Sequence, residues 1–320
     1  MTTDLLNNTE MEFDAGSVDS IDQSTVEENG ISFPLLQWVY GNVAAKKYGG
    51  MDYQGGLFVK TDKVGDDVLT AAGWAKVERT FKSGASEEGY WKREAAISII
   101  AERKRWEITG ADGKRQVFPW NKFDAAKAAI AGSAPRGRNQ YLVLIKGLED
   151  AGPFVLTLKG SAAMAFESYR DKDAVLSRFA NTVIRAANAA SDAAAKKAGN
   201  AGGKRWPYRA FWLPVGAARD EKGAPIYAEV GKGSNTTNVV LPVALGLPDK
   251  PEQVDLKRFY VGGDLLTRVN ELYDASSDWR AAWENIKPGA VEGNGDAATP
   301  DAAADKEREA EEANLAAAGL

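Results

Sequence analysis

The stretch 90–122, YWKREAAISIIAERKRWEITGADGKRQVFPWNK, constrains the chain most. Residues 95–101 form a short apolar run of the length a buried strand needs. Asp112-Gly113 is a turn dipeptide, and Gln116-Val117-Phe118 resumes an extended pattern, so the stretch predicts a β-hairpin. Lys92, Arg93, Arg103, Lys104, Arg105, Lys114, Arg115 and Lys122 crowd around it, interleaved with Trp91, Trp106, Phe118 and Trp120. Cations can track phosphates, and flat rings can stack on bases, at about 1–3 kcal/mol per base. The same residues also fit a polar strand edge whose rings fill the core.

The chain holds no cysteine and no histidine. That excludes disulfides, thiolate nucleophiles, zinc fingers and the Ser-His-Asp or Cys-His machinery. Chemistry would fall to carboxylates, Lys, Tyr, Ser or Thr, and the expectation is a protein that is not an enzyme and has no cofactor. No apolar run approaches the roughly 18 residues of a membrane span. The acidic start is unlike a signal or transit peptide, so the expected location is the cytoplasm, that of the host if the chain is phage-encoded.

Charge is segregated. Residues 1–30 carry −8 and residues 289–320 carry −6, so in a chain of net charge −5 the body, 31–288, carries +9. The expected organisation is a disordered acidic segment 1–30, a basic α+β body 31–288, and a disordered, Ala-rich acidic tail 289–320. A basic body attracts polyanions. The tails can compete for its surface as internal mimics of DNA, or recruit a basic partner.

Along the body, 57–60 and 74–81 read as strands, and 66–73 as one or two helical turns. Residues 141–145 and 154–158 read as the clearest hairpin. Residues 161–197 read as helix broken near Asp171–Asp173, and 226–230 and 238–243 as strands. Asp264 is positioned to cap a helix to about residue 286 whose buried stripe includes Val269, Trp279 and Trp283. The two halves share a theme of strands followed by a helix, which fits either two small lobes or one larger sheet.

Lys204, Arg205, Trp206, Tyr208 and Arg209 form a second cluster of cations and rings. Its alternative reading is rings in the core with cations reaching outward. Arg136 and Arg138 sit in a loop that reads either as a phosphate contact or as a solvated connection. Gly231-Lys232-Gly233-Ser234 lacks the frame of a nucleotide phosphate loop, because Gly233 follows Lys232. Asp249 with Asp255 and Lys257 echoes a Mg²⁺-dependent nuclease pattern at too short a spacing, and a surface loop with a helix start explains it.

Several short runs carry a resemblance. Phe33-Pro34-Leu35-Leu36-Gln37-Trp38, Gly55-Gly56-Leu57-Phe58-Val59, Ala72-Gly73-Trp74 and Phe81-Lys82-Ser83-Gly84 are similar to an uncharacterised family of bacterial plasmid, phage and related mobile-element proteins. Leu156-Thr157-Leu158-Lys159-Gly160, Phe211-Trp212 and Phe259-Tyr260-Val261-Gly262 fit the same likeness. It implies no activity. The plan also resembles phage single-stranded DNA-binding proteins, which place an OB-type barrel before an acidic tail, although this tail ends Ala-Gly-Leu rather than in acids and an aromatic ring.

The expected fold is α+β: an antiparallel β-barrel or bent sheet, OB-like at its core, with two substantial helices and disordered acidic termini. The expected function is sequence-tolerant single-stranded DNA binding in replication or recombination. Trp91, Lys92, Arg93, Arg103, Lys104, Arg105, Trp106, Lys114, Arg115, Trp120, Arg136, Arg138, Lys204, Arg205, Trp206, Tyr208 and Arg209 form the surface, gathered in one positive furrow. A non-enzymatic interaction or virion-associated protein and a metal-dependent nuclease are the alternatives. No membrane partner is expected. Capture of replication or recombination proteins by the acidic tail, and self-association, are left open.

Overall fold

The computed structural model describes residues 33–291, apart from 48–49, 61–62, 81–85, 110–113, 130–134, 169–170 and 231–236. The readings of 1–30 and of the tail beyond 291, the Asp112-Gly113 turn and the Gly231–Ser234 loop lie outside the described residues. Thirteen described strands fall into one eleven-stranded sheet and a separate pair. The sheet runs β12 (Pro242–Ala244), β9 (Leu213–Ala217), β5 (Glu94–Thr109), β7 (Arg136–Ile145), β8 (Phe154–Lys159), β1 (Leu35–Val39), β2 (Gly56–Lys60), β4 (Ser86–Lys92), β3 (Ala75–Thr80). Off this path, β6 (Arg115–Pro119) pairs with β5 and with β13 (Ala290–Val291). The separate pair is β10 (Ala228–Val230) with β11 (Thr237–Val239).

One large sheet thus replaces the two-lobe alternative. No pairing among the described strands closes it into a barrel. It is nevertheless strongly bent. Between β4 and β5 the sheet places β2, β1, β8 and β7, yet the chain passes from one to the other through Arg93 alone. Gly56 of β2 lies against that corner: a Cβ there would stand 3.0 Å from Arg93 Cα. Among the described strands only the β1–β8 pairing of this sheet is parallel; the others are antiparallel.

Strand β5 organises the molecule. Along one edge Ile97–Glu107 pairs with β7, with a bulge between Ile99 and Ala101. Its other edge is divided: Glu94–Ile97 pairs with β9, and Arg105–Thr109 pairs with β6. Alternation along the strands then builds two cores. One face carries Ile97, Tyr141, Val143 and Phe154, covered by α4 (Gly160–Phe166), α5 (Val175–Phe179), a π-turn at Ala180–Ile184 and α6 (Arg185–Lys197). The opposite face carries Ile100, Leu142, Leu144 and Val155, covered by α8 (Gly263–Ala275) and α9 (Ser277–Glu284).

The helix expected over 161–197 is interrupted between Phe166 and Val175, around the predicted Asp171–Asp173 break. The second helix is split at Ser276, a buried residue whose Oγ donates to the Tyr273 carbonyl at 2.8 Å. Asp264 does not cap it: Gly262 takes that position without a side-chain bond. The smaller helices are α1 (Gly50–Gln54), α2 (Asp66–Ala71), α3 (Phe123–Ala128) and α7 (Leu256–Phe259).

Gly89 in β4 sits where the sheet leaves no room for a side chain. A Cβ would lie 2.3 Å from Phe58 Cζ and 2.6 Å from the Val59 carbonyl oxygen. Gly89→Ala should therefore lower unfolding free energy by about 1–3 kcal/mol, the usual scale of overpacking. A urea midpoint equal to the parent's would contradict that packing.

Candidate nucleic-acid interface

Trp106 and Trp120 lie at the centre of the candidate site. Trp106 is on β5, and Trp120 opens a 3-10 turn, Trp120–Lys122, directly after β6. Their rings stack with centroids 4.0 Å apart and planes 7° apart. Trp106 Nε1 donates to the Trp120 main-chain carbonyl at 2.7 Å, which orients the Trp106 ring. Phe123, the first residue of α3, tilts against Trp106 at 4.9 Å. Ile108, Phe118 and Ala126 form a small core with Trp106. Gly137 of β7 is the cross-strand partner of Trp106, and a Cβ there would already stand 3.4 Å from Trp120 and 3.5 Å from Trp106. These are ordinary van der Waals distances, so the indole pair packs directly over this position.

The rings are not sealed in: Trp120 is 42% exposed and Phe123 41%. Lys114, Lys122 and Lys127 are exposed on the same β5–β6–α3 lobe, whereas Arg136, the cross-strand partner of Glu107, is exposed on the opposite face of the sheet. An exposed aromatic pair among cations is a platform on which bases can stack while phosphates meet charge.

Other predicted residues turn inward at this end of the sheet. Arg103 and Arg105 lie on the opposite face, beneath α9, each 6% exposed. The Arg103 guanidinium sits 4.3 Å from the Trp279 ring centroid and 4.4 Å from that of Trp283, and Arg105 stands 4.4 Å from Trp283. Arg103 also donates to Gln140 Oε1 at 2.9 and 2.6 Å. Glu107 accepts from Arg105 at 2.7 Å and from Arg138 at 3.1 Å. Burial pushes the Glu107 carboxyl up, but the charges of Arg138 and Arg105, then Arg115 and Lys159, outweigh it and hold the group well below the ordinary carboxylate range. These arginines stabilise the lobe from within.

Beside the indoles, on their own face, lies a polar cluster. Lys104 is the cross-strand partner of Asn139. Lys104 Nζ reaches Glu167 Oε1 at 2.6 Å and Glu102 at 3.4 Å. Tyr141 donates to Glu167 and accepts from Asn139 Nδ2 at 3.4 Å. Burial and then the Glu167 charge push the Tyr141 phenol well above its ordinary value, so it stays a donor. Asn139 Oδ1 is buried without a hydrogen-bond partner.

The second cluster reaches the sheet from the same face as the indoles, and its Tyr208 comes near the carboxylates around Lys104: burial and then the charges of Glu167 and Glu102 push its phenol up. Arg205 pairs with Asp192 of α6 at 2.8 Å, on the face opposite Arg103 and Arg105. Lys204 is exposed beside it. Trp206 is half-buried, edge-on to Phe211 and Tyr260. Tyr208 stacks toward Phe179 at 6.1 Å, and Arg209 lies 4.2 Å from the Tyr273 ring of α8 while donating to Asn270 at 2.7 Å. Trp91 and Lys92 belong to β4: Trp91 donates to the Gly55 carbonyl at 3.2 Å, and Lys92 to that of Ala72 at 2.7 Å. Arg93 is exposed at the β4–β5 corner. The single convergent furrow is therefore corrected: alternation sends Arg103 and Arg105 to one face and Trp106 to the other.

Phe123 had a signal, lying three residues after Trp120, one turn of a short helix. Asn139 and Glu167 had none, because they meet Lys104 only through tertiary structure. Asp249 pairs with Arg178 at 3.4 Å, and Asp255 caps α7 by accepting from Lys257 N at 3.1 Å, as a surface loop and helix start should. Among the described residues no group of three or more carboxylates could hold a metal ion, and no helix is long and apolar enough to cross a membrane. The structure thus defines a mixed α+β protein with one large bent sheet and an exposed indole pair. No family model, no curated protein and no solved structure matches the chain.

Proposed function

We propose that this chain is a sequence-tolerant single-stranded DNA-binding protein of a phage or mobile element, acting in replication or recombination without catalysis of its own. The carrying observation is the partly exposed Trp106–Trp120 stack with Lys114, Lys122 and Lys127 exposed on the same lobe. In this reading bases stack on the indole platform and phosphates follow the lobe's cations. The bent sheet serves as the rigid support that an OB-type barrel supplies elsewhere. Buried Arg103, Arg105 and Arg138 add positive potential without touching phosphate.

Titration with oligo-dT at two salt concentrations, followed by tryptophan fluorescence, tests this. Stacking should quench the indoles. Trp120→Ala, at an exposed site, should weaken binding by about 1–3 kcal/mol. Lys122→Ala should reduce the slope of log affinity against log salt by about 0.7, one single-strand phosphate contact. A protein-interaction or virion-associated role, the alternative, predicts no quench and no effect of either substitution.

A further inference from the structure

Strand β3 ends the large sheet. Among the described strands it pairs only with β4, so its outer edge offers a row of backbone N–H and C=O groups to another strand. Ala75, Lys76 and Glu78 are exposed there. Alternation puts Val77 on the face that packs with Val39, Met51 and Phe58, and Lys76 with Glu78 on the other. On that other face the strand carries a repulsion. Glu78 stands directly opposite Glu88 of β4, a like-charge pair that disfavours the ladder. Lys76 Nζ turns to Asp66 at 3.1 Å and Glu88 at 3.8 Å, and among the described residues Glu78 makes no ion pair.

A second copy of this chain would supply the missing cation. A two-fold axis perpendicular to the sheet lays β3 antiparallel to its own copy, with like faces on the same side. Centring that axis on Lys76 sets lysine against lysine, and centring it on Glu78 sets glutamate against glutamate. Centring it on Val77 sets each Lys76 directly opposite Glu78 of the second copy, an opposite-charge pair made twice. Charges commonly guard a sheet edge, but a lysine and a glutamate two residues apart on one face are self-complementary. We infer that the outer edge of β3 is a self-association surface, on which two copies join antiparallel about Val77 into one continuous sheet. Backbone hydrogen bonds supply the attraction, and the Lys76–Glu78 pairs choose the register. Six residues a side make a small contact, so the dimer is weak and concentration-dependent. Nothing in it depends on DNA binding.

Sedimentation velocity of the full chain, from about 1 µM to about 1 mM, should show the mass rising from 34.4 kDa toward twice that value. Glu78→Lys reads the register. It sets lysine against Lys76 of the second copy at both contacts and should weaken association by about tenfold or more. Within one chain the same change turns the repulsive pairing with Glu88 into an attractive one, so the melting temperature should not fall. Hydrogen exchange on the parent chain decides the matter even if the variant does not fold: the outward amides of β3 should gain protection as concentration rises. A parent chain that stays monomeric over the whole range overturns the surface. So does a dimer whose β3 amides exchange as fast as the monomer's, or one that Glu78→Lys leaves equally tight.

Discussion

Glu107→Ala is expected to destabilise the protein by about 3–5 kcal/mol, the usual result of breaking a buried ion pair from one side. The carboxylate accepts from Arg105 and Arg138, which are 6% and 2% exposed. Its removal leaves those guanidiniums facing one another in a poorly solvated layer. The same group sets a pH dependence. Its pKa is lower in the folded chain than the ordinary 4.5, so its contribution is fully present above that value. The contribution is lost as pH falls through the depressed folded value. Urea unfolding at pH 7, 4 and 3 should show parent stability falling over the acidic range, with the fall reduced in Glu107→Gln. Parallel pH profiles for the two chains would contradict the role assigned to this carboxylate.

Trp283→Ala is expected to be as damaging, for a different reason. The ring is 5% exposed and lies between two guanidiniums, 4.4 Å from each. Truncating a buried tryptophan costs about 3–5 kcal/mol through lost burial and the cavity left behind. Desolvated cation–π contacts add up to about 2 kcal/mol each. Trp283→Phe keeps a ring over the arginines and should recover part of the loss. Trp120→Ala serves as the contrast, because an exposed ring contributes little to folding. If Trp283→Ala and Trp120→Ala unfold at the same denaturant concentration, the ladder of arginines and indoles is not what fastens α9 to the sheet.

These two residues also show what could be read in advance. Trp279 and Trp283 are four apart on a helix, and that spacing predicted a buried pair, as observed. The β5–β6 and β7–β8 hairpins were legible because alternation and turn residues act over short distances. The environment of Arg103 was not. A cation in a strand normally faces water. What covers this one is a helix whose Trp279 carbonyl it meets across 176 residues. The indole platform was half legible: Trp106 and Trp120 stood out by type, but only the pairing of β5 with β6 and β7 stacks them over Gly137. The bulge after Ile99 was invisible too, although it resets which β5 side chains share a face.

The parallel seam between β1 and β8 bears on how the chain is made. Leu35 meets Val155, so one edge of β1 waits for residues more than a hundred positions downstream, while its other edge takes β2 at once. During synthesis from the N-terminus, β1 to β4 can assemble early and must then present a bare row of amides and carbonyls until β8 leaves the ribosome. Exposed strand edges invite wrong pairing. A nascent chain of this design has reason to need a chaperone during that interval, and a fragment ending before residue 154 would keep the open edge permanently.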